Sequence, residues 1–152
     1  MPQPPDPLNL QRFVDAQAHV FDQVVTELRD GRKRSHWMWF IFPQIAGLGS
    51  SDMARRFAIS GREEALAYLD HPTLGPRLRQ CTELVNRVAG RTLDDIFGYP
   101  DDLKFRSSIT LFASVAPSEE VFRTALERYC ARKPDPATLA LLGVTPAAPS
   151  KR

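Results

Sequence analysis

The chain has 152 residues, of which 43% are hydrophobic and 25% charged, and its formal net charge is +2. This length and composition favour a single soluble globular domain with its own hydrophobic core. The small net charge argues against a general nucleic-acid binder, whose surface carries a strong positive excess. No apolar run approaches the length of a membrane span, and the proline-rich N-terminus lacks the apolar core of a signal peptide, so we expect a cytoplasmic protein.

The cysteines and histidines give no sign of a metal centre. Cys81 and Cys130 both fall within helical patterns, and we expect two buried free thiols in a reducing compartment. His19, His36 and His71 are far apart in the chain, and neither cysteine joins them at a ligand spacing. The sequence therefore predicts no metal site, and nothing in it points to a cofactor.

Apolar side chains recur at three- and four-residue steps through most of the chain, which is the period of amphipathic helices. Glycine, proline and capping residues divide this pattern into short segments. The expected helices cover residues 7–31, 52–57, 60–69, 75–90, 92–97, 100–112, 117–130 and 135–143. Strand signals are weak, the best being residues 37–42 and then 107–115. We therefore predict an all-α fold, one compact domain of about eight short helices over residues 8–143, with disordered ends at 1–7 and 144–152.

One polar residue interrupts the apolar face of the first expected helix. Gln17 occupies a position that the helical period assigns to the core. Its amide either hydrogen-bonds a nearby backbone group or points into a ligand site, and the sequence leaves both interpretations open.

Residues 31–52 follow neither the helical nor the strand period. Arg32, Lys33 and Arg34 run directly into His36, and a neutral histidine in such surroundings can act as a base. Four aromatic residues follow within six positions: Trp37, Trp39, Phe40 and Phe42. We expect residues 35–44 to be mostly buried at the centre of the domain. A ring left exposed would offer a stacking surface for a nucleotide base.

A glycine-rich turn ends this stretch and leads into the next helix. Gly47, Gly49, Ser50 and Ser51 precede the expected helix at residue 52. Small residues there leave backbone N–H groups free for an anion, which the nearby basic run would also attract. An ordinary capped turn explains the same residues.

A second stretch, residues 98–108, also packs charged and small polar residues closely. On a helix, Asp101 and Lys104 are neighbours, and so are Asp102 and Arg106, and Lys104 and Ser108. These residues either form a helix start rich in ion pairs, or they face a ligand with an aspartate serving as base. We predict that this stretch and residues 31–52 meet, with Lys104 and an aspartate close to His36 and Gln44.

Several of these segments together resemble a bacterial family of unknown function, domain-of-unknown-function family eighteen-ten, whose members often carry the label calpastatin. The similarity is carried by residues 9–17, by Arg34-Ser-His-Trp-Met-Trp-Phe-Ile-Phe-Pro-Gln44, and by residues 47–50, 71–75, 96–104 and 106–108. It spans roughly residues 8–142 and implies a compact, mainly helical domain. It implies no activity and no catalytic residues. A shorter similarity to helical ADP-ribose-processing hydrolases runs from residues 77–79 to residues 95–98.

The favoured hypothesis is a hydrolase-like enzyme acting on a phosphorylated ligand that resembles a nucleotide or ADP-ribose. The alternative is a non-catalytic module that binds a ligand or a protein partner; the oligomeric state is open. The candidate catalytic residues are His36, Asp101, Asp102 and Lys104. The candidate ligand-binding residues are Gln17, Arg32, Arg34, Trp37, Trp39, Gln44, Gly47, Gly49, Ser50, Ser51, Arg106 and Ser108.

Overall fold

The structure is a computed structural model in which residues 5–143 are described. Within this range the chain forms ten helices, and its one β-contact is the isolated bridge between Ile45 and Ile59. The helices are α1 (Gln11–Gln17), α2 (Phe21–Arg29), α3 (Met38–Ile41), α4 (Asp52–Arg56), α5 (Arg62–Asp70), α6 (Leu74–Asn86), α7 (Leu93–Phe97), α8 (Asp101–Val115), α9 (Glu120–Tyr129) and α10 (Pro136–Leu142). The predicted all-α fold is confirmed. The expected disorder at residues 1–4 and 144–152 lies outside the described residues.

The expected helix over residues 7–31 is wrong in one respect, because the chain forms two helices there. After Gln17 the helical ladder stops, and the Val20 N–H donates to the Gln17 carbonyl three residues back. α1 packs against α3, whereas α2 packs against α6. One straight helix cannot present its apolar face to both partners, so the chain turns at residues 18–20 before continuing.

The first helix begins four residues later than its proline-rich entry predicts. The N-cap residue is Leu10 and not Asp6, but the two carboxylate oxygens of Asp6 accept the N–H groups of Leu10 and Gln11 at 2.8 and 2.9 Å. Asn9 has a φ of 52° between them, which turns the chain into the helix. The backbone hydrogen bond from Gln11 lowers the pKa of Asp6 most, and that from Leu10 lowers it next.

Helix α8 lies at the centre of the molecule. Its buried residues fall on nearly every side, among them Phe105, Ile109, Leu111 and Phe112, as expected for a helix surrounded by others. α5, α7, α9 and α10 all pack against it, and α9 also packs against α6. The best strand candidate, residues 37–42, instead contributes the single helical turn α3 to this core. No helix within residues 5–143 is long and apolar enough to cross a bilayer.

Two ion pairs join elements that are distant in sequence. Arg12 of α1 lies 2.9 Å from Glu64 of α5 and donates to four backbone carbonyls, including those of Arg56 and Ala58. Arg79 of α6 donates hydrogen bonds to both carboxylate oxygens of Glu119, the residue before α9. These contacts fix α1 on α5 and α6 on the start of α9.

The two thiols differ in their surroundings. Cys81 is fully buried, as predicted, and burial raises its pKa to about 12. Cys130 is only half-buried at the end of α9, and burial raises its pKa to a lesser extent. Both are free, so neither forms a disulfide.

The corner between α5 and α6 admits no side chain at Gly75. A Cβ added there would lie 2.0 Å from the Leu69 carbonyl oxygen. Gly75→Ala should therefore lower the free energy of unfolding by about 3 kcal/mol, the upper range for overpacking against a rigid neighbour. Urea denaturation measures this. Gly61→Ala is the control, because a Cβ at Gly61 meets nothing within 4 Å, and equal stability of the two variants would contradict the tight corner.

Candidate functional site

One buried carboxylate holds the loop that follows α2. Glu27 Oε1 accepts the N–H groups of Arg34 and Ser35 at 2.8 and 3.1 Å and the indole N–H of Trp37 at 2.8 Å. Its Oε2 accepts the Ser35 hydroxyl at 2.6 Å and the Gln23 amide at 2.7 Å. Burial alone would raise the pKa of Glu27, but these hydrogen bonds outweigh it and lower the pKa to about 2. The charged carboxylate therefore fixes the path of residues 34–37.

Beside this loop, two lysines share one carboxylate. Lys33 Nζ lies 2.9 Å from Asp101 Oδ2, and Lys104 Nζ lies 3.5 Å from Asp101 Oδ1. The Lys33 ammonium is 5.1 Å from the centre of the Trp37 ring, and the Lys104 ammonium is 5.0 Å from that of Trp39. The exposed fractions of the three charged side chains are 8% for Lys33, 20% for Asp101 and 25% for Lys104. These five residues are called the lysine–tryptophan cluster below.

The cluster joins the two stretches that the sequence predicts to meet. Residues 31–39 supply Lys33 and the tryptophans, and the start of α8 supplies Asp101 and Lys104. The Lys33 N–H also donates to the Ile96 carbonyl at 2.7 Å, which holds the loop against α7. The contact runs through Lys33 and Trp39, and no side-chain hydrogen bond or ion pair between described residues reaches His36 or Gln44.

The two tryptophans have different surroundings. Trp37 is 1% exposed, and its ring packs near Phe42 and Phe97. Phe42 in turn meets Phe105 of α8 edge to face at 5.0 Å between ring centres. Trp39 is only half-buried. Of residues 35–44, which we expect to be mostly buried, residues 37–43 are buried apart from Trp39, whereas His36 is exposed and Ser35 and Gln44 are half-buried. Trp39 therefore supplies the accessible ring.

Gln17 is committed to the core. It is 1% exposed, and its amide nitrogen donates to the Phe40 carbonyl at 2.7 Å and to the Tyr68 hydroxyl at 3.1 Å. Its oxygen accepts from Arg77 at 3.2 Å. Burial raises the pKa of the Tyr68 hydroxyl, so the hydroxyl stays protonated beside Gln17. Gln17 thus pins α3 to α1 and α5.

The glycine-rich turn forms a separate feature. Gly47 has a φ of 104° and faces Leu141 of α10. The Ser51 hydroxyl accepts the Ala54 N–H at 3.1 Å, and Arg55 donates to the Ser50 carbonyl while pairing with Asp52. Helix α4 has only five residues. No hydrogen bond or ion pair between described residues joins this turn, which includes Gly49, to the lysine–tryptophan cluster.

The other predicted residues are dispersed. Arg106 donates to the carbonyls of Lys133 and Pro134, and Ser108 is fully buried. Arg34 is exposed and pairs with Asp30 at 3.1 Å. The Gln44 carbonyl accepts the Ile59 N–H, Asp102 Oδ1 accepts the N–H of Leu103, and Arg32 and His36 are exposed.

Two cavities have no residue of the lysine–tryptophan cluster in their lining. One of about 570 Å³ is lined by the N-terminal segment and by the corner between α5 and α6, including Leu8, His71 and Pro72. Another of about 390 Å³ is lined by Asp102, Arg106 and the end of α9. Size alone does not favour the first cavity, because its wall is mostly apolar and it contains none of the predicted residues.

Sequence reasoning missed two residues of the site. Lys33 stands between Arg32 and Arg34 in the sequence. No local pattern indicates which of three adjacent cations is buried. Glu27 does have such a signal, because it lies between Val24 and Leu28 on the apolar face of α2. A charged residue in that position predicts a paired or hydrogen-bonded carboxylate.

The chemistry of the cluster is cationic and aromatic. Two ammonium groups and a half-exposed indole suit a negatively charged group attached to a flat ring. Among the residues that the structure describes, no three His, Cys, Asp or Glu side chains are grouped so as to hold a metal ion.

Comparisons with known proteins identify relatives whose descriptions state no function. The family model described as "Protein of unknown function (DUF1810)" matches residues 7–142. The crystal structure of the conserved hypothetical protein Rv1873 from Mycobacterium tuberculosis, at 1.38 Å, is similar, with 57% identity and a TM-score of 0.90. The match covers 92% of this chain and 100% of that chain. A comparison with the curated proteins found no match.

Glu27 should make stability sensitive to acid. Its pKa lies below the unfolded value, so its contribution is present above about pH 4.5 and is lost as the pH falls towards about 2. Glu27→Gln should reduce this pH dependence and cost about 3 kcal/mol at neutral pH, because donors that met Oε2 lose their acceptor. Thermal unfolding between pH 2 and 7 measures both effects. The control is Glu63→Gln, an exposed residue of α5, and an identical acid profile for both variants would contradict the role of Glu27.

The tryptophans should also separate in their effect on stability. Trp37→Ala removes a buried ring and a donor to Glu27, and we expect a loss of about 3–5 kcal/mol. Trp39→Ala should cost only about 1–2 kcal/mol, because the ring is half-buried and its main partner is Lys104. Chemical denaturation compares them, and an equal loss in the two variants would show that Trp39 belongs to the core.

Proposed function

Since the chain belongs to the DUF1810 family of proteins of unknown function, we propose a function from its site alone: it binds a small phosphorylated, nucleotide-like ligand at the lysine–tryptophan cluster. The observation that carries this proposal is the sharing of one carboxylate by two largely buried lysines. The cluster therefore holds two positive charges against one negative charge.

The uncompensated charge matters because it is partly removed from water. A buried ammonium is stable only when an anion or hydrogen-bond acceptors replace its hydration shell. Among the described residues, Asp101 is the only acidic residue within 4 Å of the Lys33 or Lys104 ammonium. The tryptophan faces compensate part of the remaining charge. A bound phosphate would compensate the rest, so an anionic ligand is the partner that the charge balance favours.

The ring of the ligand would lie on or beside Trp39. Trp37 is too deeply buried to be reached, whereas part of Trp39 remains accessible next to Lys104. Stacking of a base on an aromatic side chain contributes about 1–3 kcal/mol. A nucleotide or an ADP-ribose-like molecule combines such a ring with phosphate, which is why we propose this ligand class.

Binding is better supported than hydrolysis. Asp101 is the candidate base within the cluster, and it already contacts two ammonium groups. Both ammonium groups would have to move away before its carboxylate could accept a proton. His36 is exposed, and no described residue orients its ring through a side-chain hydrogen bond. A hydrolase would need one of these groups to be rearranged by the ligand itself.

A second candidate function is a protein-interaction surface beside the same cluster. Tyr99 is 78% exposed and Leu103 is 49% exposed at the start of α8. Tyrosine is enriched at the energetic centres of interfaces. This observation supports a protein partner that contacts Tyr99 and Leu103 rather than Trp39.

The binding proposal predicts that loss of one ammonium weakens the ligand. Isothermal titration with AMP, ADP-ribose and inorganic phosphate should detect at least one ligand, and Lys104→Met should lower its affinity by about tenfold, the effect of losing one partly buried charge pair. Methionine keeps the length of the side chain. Mass spectrometry of the mixture after incubation shows whether the ligand is also cleaved.

The control variant is Arg62→Met, which removes an exposed cation at the start of α5. Its affinity should match that of the wild type after correction for ionic strength. An equal loss in both variants would mean that binding follows overall charge rather than the cluster. No binding of any of the three probes to the wild type would refute the proposed function.

A further inference from the structure

We infer that the cluster selects a terminal phosphate monoester over a phosphodiester, because the ligand must take the place of Asp101. The inference rests on the proposed function and specifies its ligand. It follows from the position of Asp101 between the two lysines and from the burial of Lys33.

Asp101 closes the access to Lys33. The Lys33 side chain is only 8% exposed, and its ammonium lies between the Trp37 ring and the Asp101 carboxylate. A ligand oxygen reaches this ammonium by occupying the position that Asp101 Oδ2 holds at 2.9 Å. The carboxylate therefore acts as an internal competitor for the anion site. When displaced, it stays in the first turn of α8, where the helix dipole favours a negative charge.

The charge balance then separates two classes of phosphate. A phosphodiester carries one negative charge, so replacing Asp101 by a diester exchanges one monoanion for another and leaves the excess positive charge unchanged. A phosphate monoester carries close to two negative charges above its second pKa of about 6. Replacing Asp101 by the monoester neutralises both Lys33 and Lys104. The free energy of displacing Asp101 is therefore favourable for a terminal phosphate and close to zero for a diester.

The matched probes are AMP and adenosine 3′,5′-cyclic monophosphate, which share base and sugar and differ in the phosphate class. For the wild-type protein at pH 8 we expect AMP to bind about tenfold more tightly than the cyclic nucleotide. The reason is that the second negative charge of AMP pairs with the second lysine ammonium. At pH 5 AMP becomes mostly a monoanion, and the two affinities should approach each other. Equal affinities at pH 8, with binding still weakened about tenfold in Lys104→Met, would overturn this inference and leave the proposed function intact.

Substitution of Asp101 tests the competitor directly. Asp101→Asn removes the internal anion, so the affinity for both nucleotides should rise by a similar factor, because both ligands displace the same carboxylate. The control is Asp94→Asn, which changes the net charge equally at an exposed residue in the first turn of α7. This control should leave both affinities close to the wild-type values. A lower affinity in Asp101→Asn than in Asp94→Asn would show that Asp101 supports binding, and would overturn the inference. If the Asp101 variant does not fold, the wild-type comparison at two pH values still decides the inference.

Discussion

The structure around the candidate site depends on one buried negative charge. Glu27 projects from the apolar face of α2, and within residues 5–143 no cationic side chain forms an ion pair with it. Five hydrogen bonds satisfy it instead, and four of them come from residues 34–37. A buried carboxylate without such donors would cost several kcal/mol. The loop after α2 is thus held in the one conformation that supplies these donors, and that conformation places Trp37 in the core and Lys33 against α8.

Two other partly buried cations in this protein, Arg12 and Arg79, have more acceptors. Arg12 has four carbonyl acceptors in addition to Glu64, and Arg79 is gripped by both oxygens of Glu119. The lysine–tryptophan cluster differs, because two ammonium groups depend on one carboxylate. Folds tend to depart from their own packing and pairing rules at functional positions. The contrast within one molecule is the physical reason for placing the site there rather than in the apolar cavity beside His71.

The position of the cluster also follows from the core. α8 is surrounded by other helices, so its first turn is held rigidly, and Asp101 and Lys104 project from that turn. The aromatic contacts between Phe42 and Phe105 fix the loop side of the same junction. Charged groups from two separated segments are therefore held at defined distances by rigid elements, a condition that selective binding requires.

The sequence alone determined the helical fold, most helix positions and the two stretches that do not fit a helical period, because period, capping and turn chemistry are local properties. It also indicated that most of residues 35–44 would be buried. Only the tertiary structure decided that Gln17 and Ser108 are buried, that Lys33 rather than Arg32 or Arg34 pairs with Asp101, and that the glycine-rich turn faces α10. Three adjacent cations look alike along the chain. Which of them is buried depends on how Glu27 orients the backbone of the loop relative to α8. That orientation is defined only once the helices have packed.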